Sequence, residues 1–337
     1  MRRLIALLVL PVAAALAGGC ASTPDMFTAR GQSTAAEFVR CQMDDPEVGK
    51  NGKSSEASEK KADNDKSEKK DASPPKALLK WAVGPEVEEK PEAEDRIITD
   101  RPDFTEASLT VGEGRVQLEA GYTHVRERSA GTTRVTEPYP EALLRIGVLS
   151  DWLELRLGNT YIHSRTTAFG QTTEHLSGVD DLYVGTKVAL TEQKGYLPET
   201  ATIFQAFVPT GSNSLSSGKL LPGISLLYGW DVIGDFLTVG GSCLANRAID
   251  DAGHSYIEFA KSVTVGYRLT PRIGAYTEWF AFFPASAVAP DVTAQHYFNG
   301  GFTFLVTPDF QLDIRAGWGL NHHADDFFAG AGFAVRY

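Results

Sequence analysis

The C-terminal end of the chain alternates apolar and polar side chains with a period of two. In residues 327–337 one face is wholly apolar and ends on Phe333, Val335 and Tyr337, whereas the other face is mostly small or polar. Residues 309–320 repeat the pattern. A period of two is that of a β-strand, whose successive side chains point to opposite faces. The length, roughly 9–11 residues, is what a tilted strand needs to cross a bilayer.

The same alternation recurs upstream as far as residue 115. It predicts an all-β, antiparallel up-and-down barrel of about 12 strands, because an even number of strands closes with both chain ends on one side. The predicted strands cover 115–128, 138–149, 152–165, 176–191, 200–209, 220–232, 235–246, 255–269, 272–283, 295–307, 309–320 and 327–337.

The connections give a second test of the barrel. If Tyr337 ends at the inner, periplasmic rim, inner turns should be short and outer loops long. Tight turns occur at every inner position except 192–199. The predicted outer loops are 129–137, 166–175, 210–219, 247–254, 284–294 and 321–326.

A secreted, water-soluble barrel or sandwich is the alternative, because periodicity alone does not say which face points inward. Glycine on the polar face suits a narrow lumen, and aromatic residues gather near strand ends as in a membrane girdle. The closing Phe333, Val335 and Tyr337 resemble the C-terminal signal read by the bacterial outer-membrane assembly machinery. These features predict an outer-membrane location, with membrane lipid and that machinery as partners.

The first 95 residues differ from the rest. They hold three of the 34 aromatic residues but ten of the 14 lysines. The formal net charge of −11 argues against a nucleic-acid partner, which needs a basic surface. Charged and polar residues dominate 51–72, so this stretch lacks the apolar surface to offset the cost of ordering. We predict a disordered charged linker over 20–95.

Residues 1–19 have the organisation of a secretory signal peptide. Arg2 and Arg3 precede an apolar stretch that is too short to span a bilayer, and small residues follow. The residues before Cys20 resemble a lipobox, which predicts a diacylated Cys20 as the mature N-terminus. Cleavage near Ala17 or Ala21, with Cys20 incidental, is the other interpretation.

The linker has two further interpretations. It is either a plain solvated spacer or an arm that binds peptidoglycan or a periplasmic partner. An apolar stretch at 77–83, containing Trp81, is a candidate docking segment. The sequence does not indicate what it docks against.

Several motifs resemble an outer-membrane transporter family labelled "MetA-pathway of phenol degradation". They include Ile98 to Ala107 (ITDRPDFTEA), Gly178 to Leu182 (GVDDL), Val208 to Ser212 (VPTGS) and the closing residues 312–333. The resemblance covers about 97–337. It implies a barrel that moves small solutes, including aromatic or hydrophobic ones.

Alternation also predicts which charged side chains face the lumen. They either line an open pore or form a packed, salt-bridged interior. Residues 96–114 are a candidate plug for that lumen, with charges from Asp100, Arg101 and Asp103. The predicted pore-lining residues are Glu119, Arg145, Glu154, Arg156, Asp181, Lys187, Glu258, Arg268, Arg272, Glu278, Asp313 and Arg315.

A membrane-embedded hydrolase is a third hypothesis, after a channel and a closed structural barrel. Its nucleophile and base should share one face, but His163 and Ser164 are adjacent and point to opposite faces, as do His254 and Ser255. His322 and His323 could hold a metal, although a polar turn is the simpler interpretation. We therefore expect a non-enzymatic channel without a cofactor or resident metal.

Overall fold

The computed structural model describes residues 75–84, 95–234, 236–250, 252–289 and 292–337. Signal peptide, Cys20 and most of the predicted linker lie outside these residues. No helix among the described residues is long and apolar enough to cross a bilayer.

The described chain forms one antiparallel sheet that closes on itself. Consecutive strands pair with each other, except the fourth and fifth, and the first strand pairs with the last from Gln117–Arg336 to Arg126–Phe327. The strands are β1 (Val116–Ser129), β2 (Thr132–Gly147), β3 (Leu153–Ala168), β4 (Gln171–Val179), β5 (Leu182–Thr191), β6 (Glu199–Val208), β7 (Leu221–Ile233), β8 (Leu237–Ile249), β9 (Ser255–Arg268), β10 (Ile273–Ala285), β11 (Gln295–Thr307), β12 (Phe310–Gly319) and β13 (Phe327–Arg336).

β4 and β5 lie end to end along the same neighbour, β3, and are separated at Asp180 and Asp181. They therefore count as one barrel strand, and the barrel has 12. The predicted strand number and fold class are confirmed.

The two faces of the barrel have inverted polarity compared with a water-soluble protein. Apolar side chains are exposed outside, among them Leu157 at 44% and Ile314 at 47%, whereas Arg145 and Lys187 are fully buried inside. An apolar outer belt around a polar interior is the arrangement of a transmembrane barrel. The alternative of a soluble barrel is excluded by this distribution.

Two predicted outer loops, 129–137 and 166–175, are wrong. β1–β2 and β3–β4 are instead long hairpins closed by two-residue turns at Ala130–Gly131 and Phe169–Gly170. All four turn residues have positive φ, from 45° to 82°. This is the type I′ geometry, which matches strand twist and favours glycine at the second turn position.

Residues 75–84, which we call the strap, bind to the end of β5 and to the long inner connection 192–198. The amides of Leu78 and Leu79 donate to the carbonyls of Ala189 and Leu190, at 2.9 and 2.7 Å. The Trp81 indole donates to the Pro198 carbonyl at 2.9 Å. The predicted docking segment therefore lies on the inner rim, and this part of the predicted linker is attached to the barrel.

Replacing Trp81 with alanine should loosen the strap. One lost hydrogen bond is worth about 1 kcal/mol net, which is about fivefold in the docked population, and lost ring contacts add to it. We expect a broad-specificity protease to cleave within 75–94 faster than in the wild type. Mass spectrometry of the products measures this rate. Val83→Ala, in the same segment but 64% exposed, is the matched control. Equal cleavage rates for the two variants would contradict the docking.

Candidate functional site

The lumen is occupied by residues 95–115, which we call the plug. The plug begins at the inner rim, where the amide of Ile97 donates to the Pro308 carbonyl at 2.7 Å. It runs up into the barrel and returns to the rim at β1. Its deeper part is the sequence motif at 98–107. The hypothesis that residues 96–114 fill the lumen is thus confirmed.

One carboxylate of the plug meets three buried cations of the wall. Asp100 accepts from Arg156 at 2.6 Å and from Lys187 at 3.1 Å, and Arg145 lies 3.5 Å away. Burial by itself would raise the pKa of Asp100, but attraction to Arg145, Lys187 and Arg156 outweighs it and lowers that pKa well below its usual range. Asp100 therefore remains ionised and holds the plug to this side of the lumen.

Further bonds extend this contact along β2 and β3. Glu106 pairs with Arg156, and the Val111 amide donates to Glu154 at 2.9 Å. Glu119 of β1 accepts from the amides of Asp100 and Arg101, at 3.1 Å. The wall therefore binds both side chains and backbone of the plug.

The neighbouring side of the lumen wall, from β12 through β13 and β1 to β2, is acidic and receives the cation of the plug. Arg101 pairs with Glu141 at 3.1 Å and with Asp313 at 3.4 Å. Gly121 and Gly332, which are cross-strand partners, make room for it. A Cβ on Gly121 would lie 2.3 Å from the guanidinium carbon, so only glycine leaves this space free.

Glu278 binds the tip of the plug. Its two carboxylate oxygens accept from the amides of Phe104 and Thr105, at 2.8 and 2.7 Å. Asp103 lies near Glu278, and burial together with repulsion from Glu278 raises the pKa of Asp103 well above its usual range. Of the three predicted plug charges, Asp100 and Arg101 thus form ion pairs, while Asp103 is destabilised in its charged form.

A cluster of aromatic side chains lies in the outer half of this otherwise polar lumen. Phe280, Tyr297 and Phe328 are buried and pack against Phe282 of the wall and Phe104 of the plug. Tyr297 donates to Asp325 in the outer loop between β12 and β13, at 3.3 Å. Burial and the nearby Glu127 raise the pKa of Asp325 to about 6.

Eight of the twelve predicted lumen residues contact the plug directly. Asp181 is buried but binds the β6–β7 loop through Gly211 and Ser217, and Glu258 is buried higher on the wall. Arg268 is half-buried near the inner rim, and Arg272 lies exposed in the β9–β10 turn. The eight are Glu119, Arg145, Glu154, Arg156, Lys187, Glu278, Asp313 and Arg315.

Sequence reasoning missed the aromatic cluster and Glu141. The alternation pattern does place the aromatic residues in the lumen. Phe280 and Phe282 lie two and four positions after Glu278, and Tyr297 lies two before Asn299, so each points to the same face as its polar neighbour. A prediction of lumen residues from charge does not include apolar side chains of the same parity. Glu141 follows a break in the β2–β3 register between Pro138 and Glu141.

The candidate catalytic and metal groups are not assembled. Ser164 bonds to Thr136, while the His163 ring packs against His175. His254 pairs with Asp250 and Ser255 with Arg247. Among the described residues, no group of three or more potential ligands, those near His322 and His323 included, could hold a metal ion.

The barrel is similar to solved structures of known proteins. An outer membrane channel from Pseudomonas putida F1 shares the fold with a TM-score of 0.55, at 13% identity, over 74% of this chain and all of its own. The NanC porin and the CymD monoaromatic hydrocarbon channel give TM-scores of 0.41 and 0.35, at 10% identity each, over 65% and 67% of this chain and 98% and 89% of their own. No curated protein sequence matches.

The fold and the polarity of its faces define an integral β-barrel of the bacterial outer membrane. Residues 99–337 match the family described as "Putative MetA-pathway of phenol degradation". The chain belongs to that family. The motif at 98–107, at the start of this match, forms the deeper part of the plug.

Replacing Asp100 with asparagine should release the plug. The change leaves Lys187 and Arg156 short of a buried counter-charge, a loss worth about 3–5 kcal/mol. Hydrogen exchange of the amides at 98–111 should accelerate, while the barrel strands stay protected. Asp103→Asn, which removes a charge that the site disfavours, should leave exchange unchanged or slower. The interpretation fails if both variants behave alike.

The outer loop around Asp325 should become less stable as the pH rises, because burial and the nearby Glu127 disfavour the ionised carboxylate of Asp325. The pKa of Asp325 is raised to about 6 from an ordinary 3.8, so between these pH values the folded protein keeps a proton that the unfolded chain loses. Stability therefore falls as the pH rises from about 4 to about 6. Exchange of the Asp325 amide, which donates to the Tyr297 hydroxyl, should speed up at neutral pH beyond the intrinsic rate. Asp325→Asn should abolish this excess.

Proposed function

We propose that the barrel is an outer-membrane channel for small hydrophobic solutes, aromatic ones included, and that the plug closes it at rest. One observation carries this proposal: inside the lumen the plug is held by bonds in which at least one partner is a side chain, while the barrel strands are joined by backbone ladders. The plug can therefore shift without opening the barrel. A solute path along the wall then needs only the exchange of side-chain contacts.

The relatives support a transport role. The Pseudomonas putida protein is described as an outer membrane channel, and the family carries a phenol-degradation label. Non-enzymatic action agrees with the separated His and Ser side chains. Under this proposal the pore-lining set is the eight wall residues at the plug, together with Glu258, Asp181 and Arg268.

A closed structural barrel is the second candidate function. It is favoured by the number of wall charges already paired with the plug, and by the strap on the inner rim. In that case the N-terminal arm, anchored by lipidated Cys20, would bind peptidoglycan or a periplasmic partner. Loss of lipid labelling in Cys20→Ser tests the anchor independently of the barrel.

Gly121→Ala should open the channel without altering any lumen charge. The new methyl group takes the space of the Arg101 guanidinium, so the plug should leave its closed position more often. In planar bilayers we expect more frequent and larger conductance steps, and in liposomes faster phenol entry. Gly240→Ala, also on the lumen face, is the control, because its Cβ comes no closer than 3.3 Å to its neighbours.

If neither the folded wild-type protein nor the folded Gly121→Ala variant produces conductance steps, the structural barrel is favoured. Folding is checked by the gel shift on heating that is typical of closed barrels. Steps of equal size and frequency in the Gly121→Ala and Gly240→Ala variants would instead show that the plug does not limit conduction.

A further inference from the structure

The tip of the plug places an aromatic ring in a stack of wall rings. Phe104 lies parallel to Phe280, with ring centroids 4.6 Å apart and planes 9° apart. Phe280 in turn lies parallel to Tyr297, at 4.8 Å and 12°. Phe282 lies beside this stack and nearly perpendicular to it, with its centroid 5.4 Å from that of Phe104, and the Phe328 ring is tilted against Phe280 at 6.2 Å. Phe104 is thus the terminal member of an ordered stack.

We propose that Phe280, Phe282, Tyr297 and Phe328 form a binding site for the ring of an aromatic solute, which Phe104 occupies at rest. We call these four residues the ring site. It deepens the proposed channel function and rests on it. A solute ring that enters the site displaces Phe104 and thereby the tip of the plug, so that the solute itself opens the way inward.

The position of the ring site supports this role. Phe280 and Phe282 lie in the outer half of β10, and Tyr297 and Phe328 near the outer ends of β11 and β13. A solute arriving from outside therefore meets these rings before it meets the ion pairs of Asp100 and Arg101. Displacement of the Phe104 ring acts directly on the attachment of the plug tip, because the amide of the same residue donates to Glu278 of the wall.

The geometry selects aromatic over saturated rings of the same size. Face-to-face and edge-to-face contacts draw on the ring quadrupole and add to the burial of apolar area. The site provides both kinds of partner, a parallel ring from Phe280 and a perpendicular ring from Phe282.

The charges around the site select neutral rings. Glu278 lies beneath it and Asp325 borders it through Tyr297. The cation at the site, Arg315, lies 5.7 Å from the centroid of Phe328 and is already paired with Glu141 at 3.5 Å. A carboxylate on the solute would face these acidic groups in a confined lumen, where like charges repel. The preferred ligand class is therefore a small neutral aromatic molecule, such as a phenol, rather than an aromatic acid.

The test is binding of phenol to the full-length protein in lipid nanodiscs. Phe104→Ala empties the site without changing the wall. We expect phenol affinity to rise on the order of tenfold, the effect of removing one competing ring contact. Phe298→Ala, which removes a lipid-facing ring on β11, should bind phenol as the wild type does. Cyclohexanol should gain little in either variant, and benzoate less than phenol.

A variant of the wall tests whether the gain in phenol affinity comes from the ring site. Phe280→Leu in the Phe104→Ala background keeps an apolar side chain but removes the stacking face, and it should cancel the gain. Equal phenol affinity in Phe104→Ala and wild type, with both barrels folded, would overturn the ring site. So would a gain that survives Phe280→Leu.

Phenol entry into liposomes, measured with the wild-type protein, separates this proposal from the channel itself. If phenol enters but Phe104→Ala shows no gain in affinity, the channel is supported and the ring site is contradicted. If Phe104→Ala gains phenol affinity but phenol does not enter, the ring site is supported and the channel is contradicted.

Discussion

The structure depends on the closure of the sheet between β1 and β13. Val116 and Tyr337 exchange backbone hydrogen bonds of 3.0 and 2.8 Å at the inner end of this seam, and the ladder continues to Arg126 and Phe327. In hydrocarbon an unpaired backbone group costs several kcal/mol, so an open sheet edge is not tolerated. Closure removes the edges, and it leaves the lumen as the place where charged side chains avoid lipid.

Those lumen charges then require partners, because a buried charge without a counter-charge is strongly destabilising. The wall supplies part of the pairing, as between Arg145 and Glu154, and the plug supplies the rest. Asp100 meets the cationic side of the lumen and Arg101 the acidic side. The plug is thus complementary in charge to the wall, and its position is set by electrostatics more than by apolar packing, except at the aromatic tip.

The N-terminal chain is held at the inner rim on both sides of the plug. The strap attaches at β5 and the β5–β6 turn, and β1 begins directly after the plug. A plug fixed at both ends and bonded through side chains can rearrange within the lumen while remaining attached. The proposed reclosure of the channel after each solute requires such an attachment.

The sequence by itself determined the strands, their number and the inward or outward direction of most side chains, because a period of two is a local property. It also indicated that Asp100 and Arg101 belong to a plug. It missed the turns at Ala130–Gly131 and Phe169–Gly170, because the hairpins there extend beyond the membrane, where both faces tolerate polar residues and alternation fades. Only the tertiary structure decided that Asp100 meets Lys187 and that Phe104 stacks on Phe280. These contacts join residues 87 and 176 positions apart, and they depend on the path of the plug, which leaves no periodic pattern in the sequence.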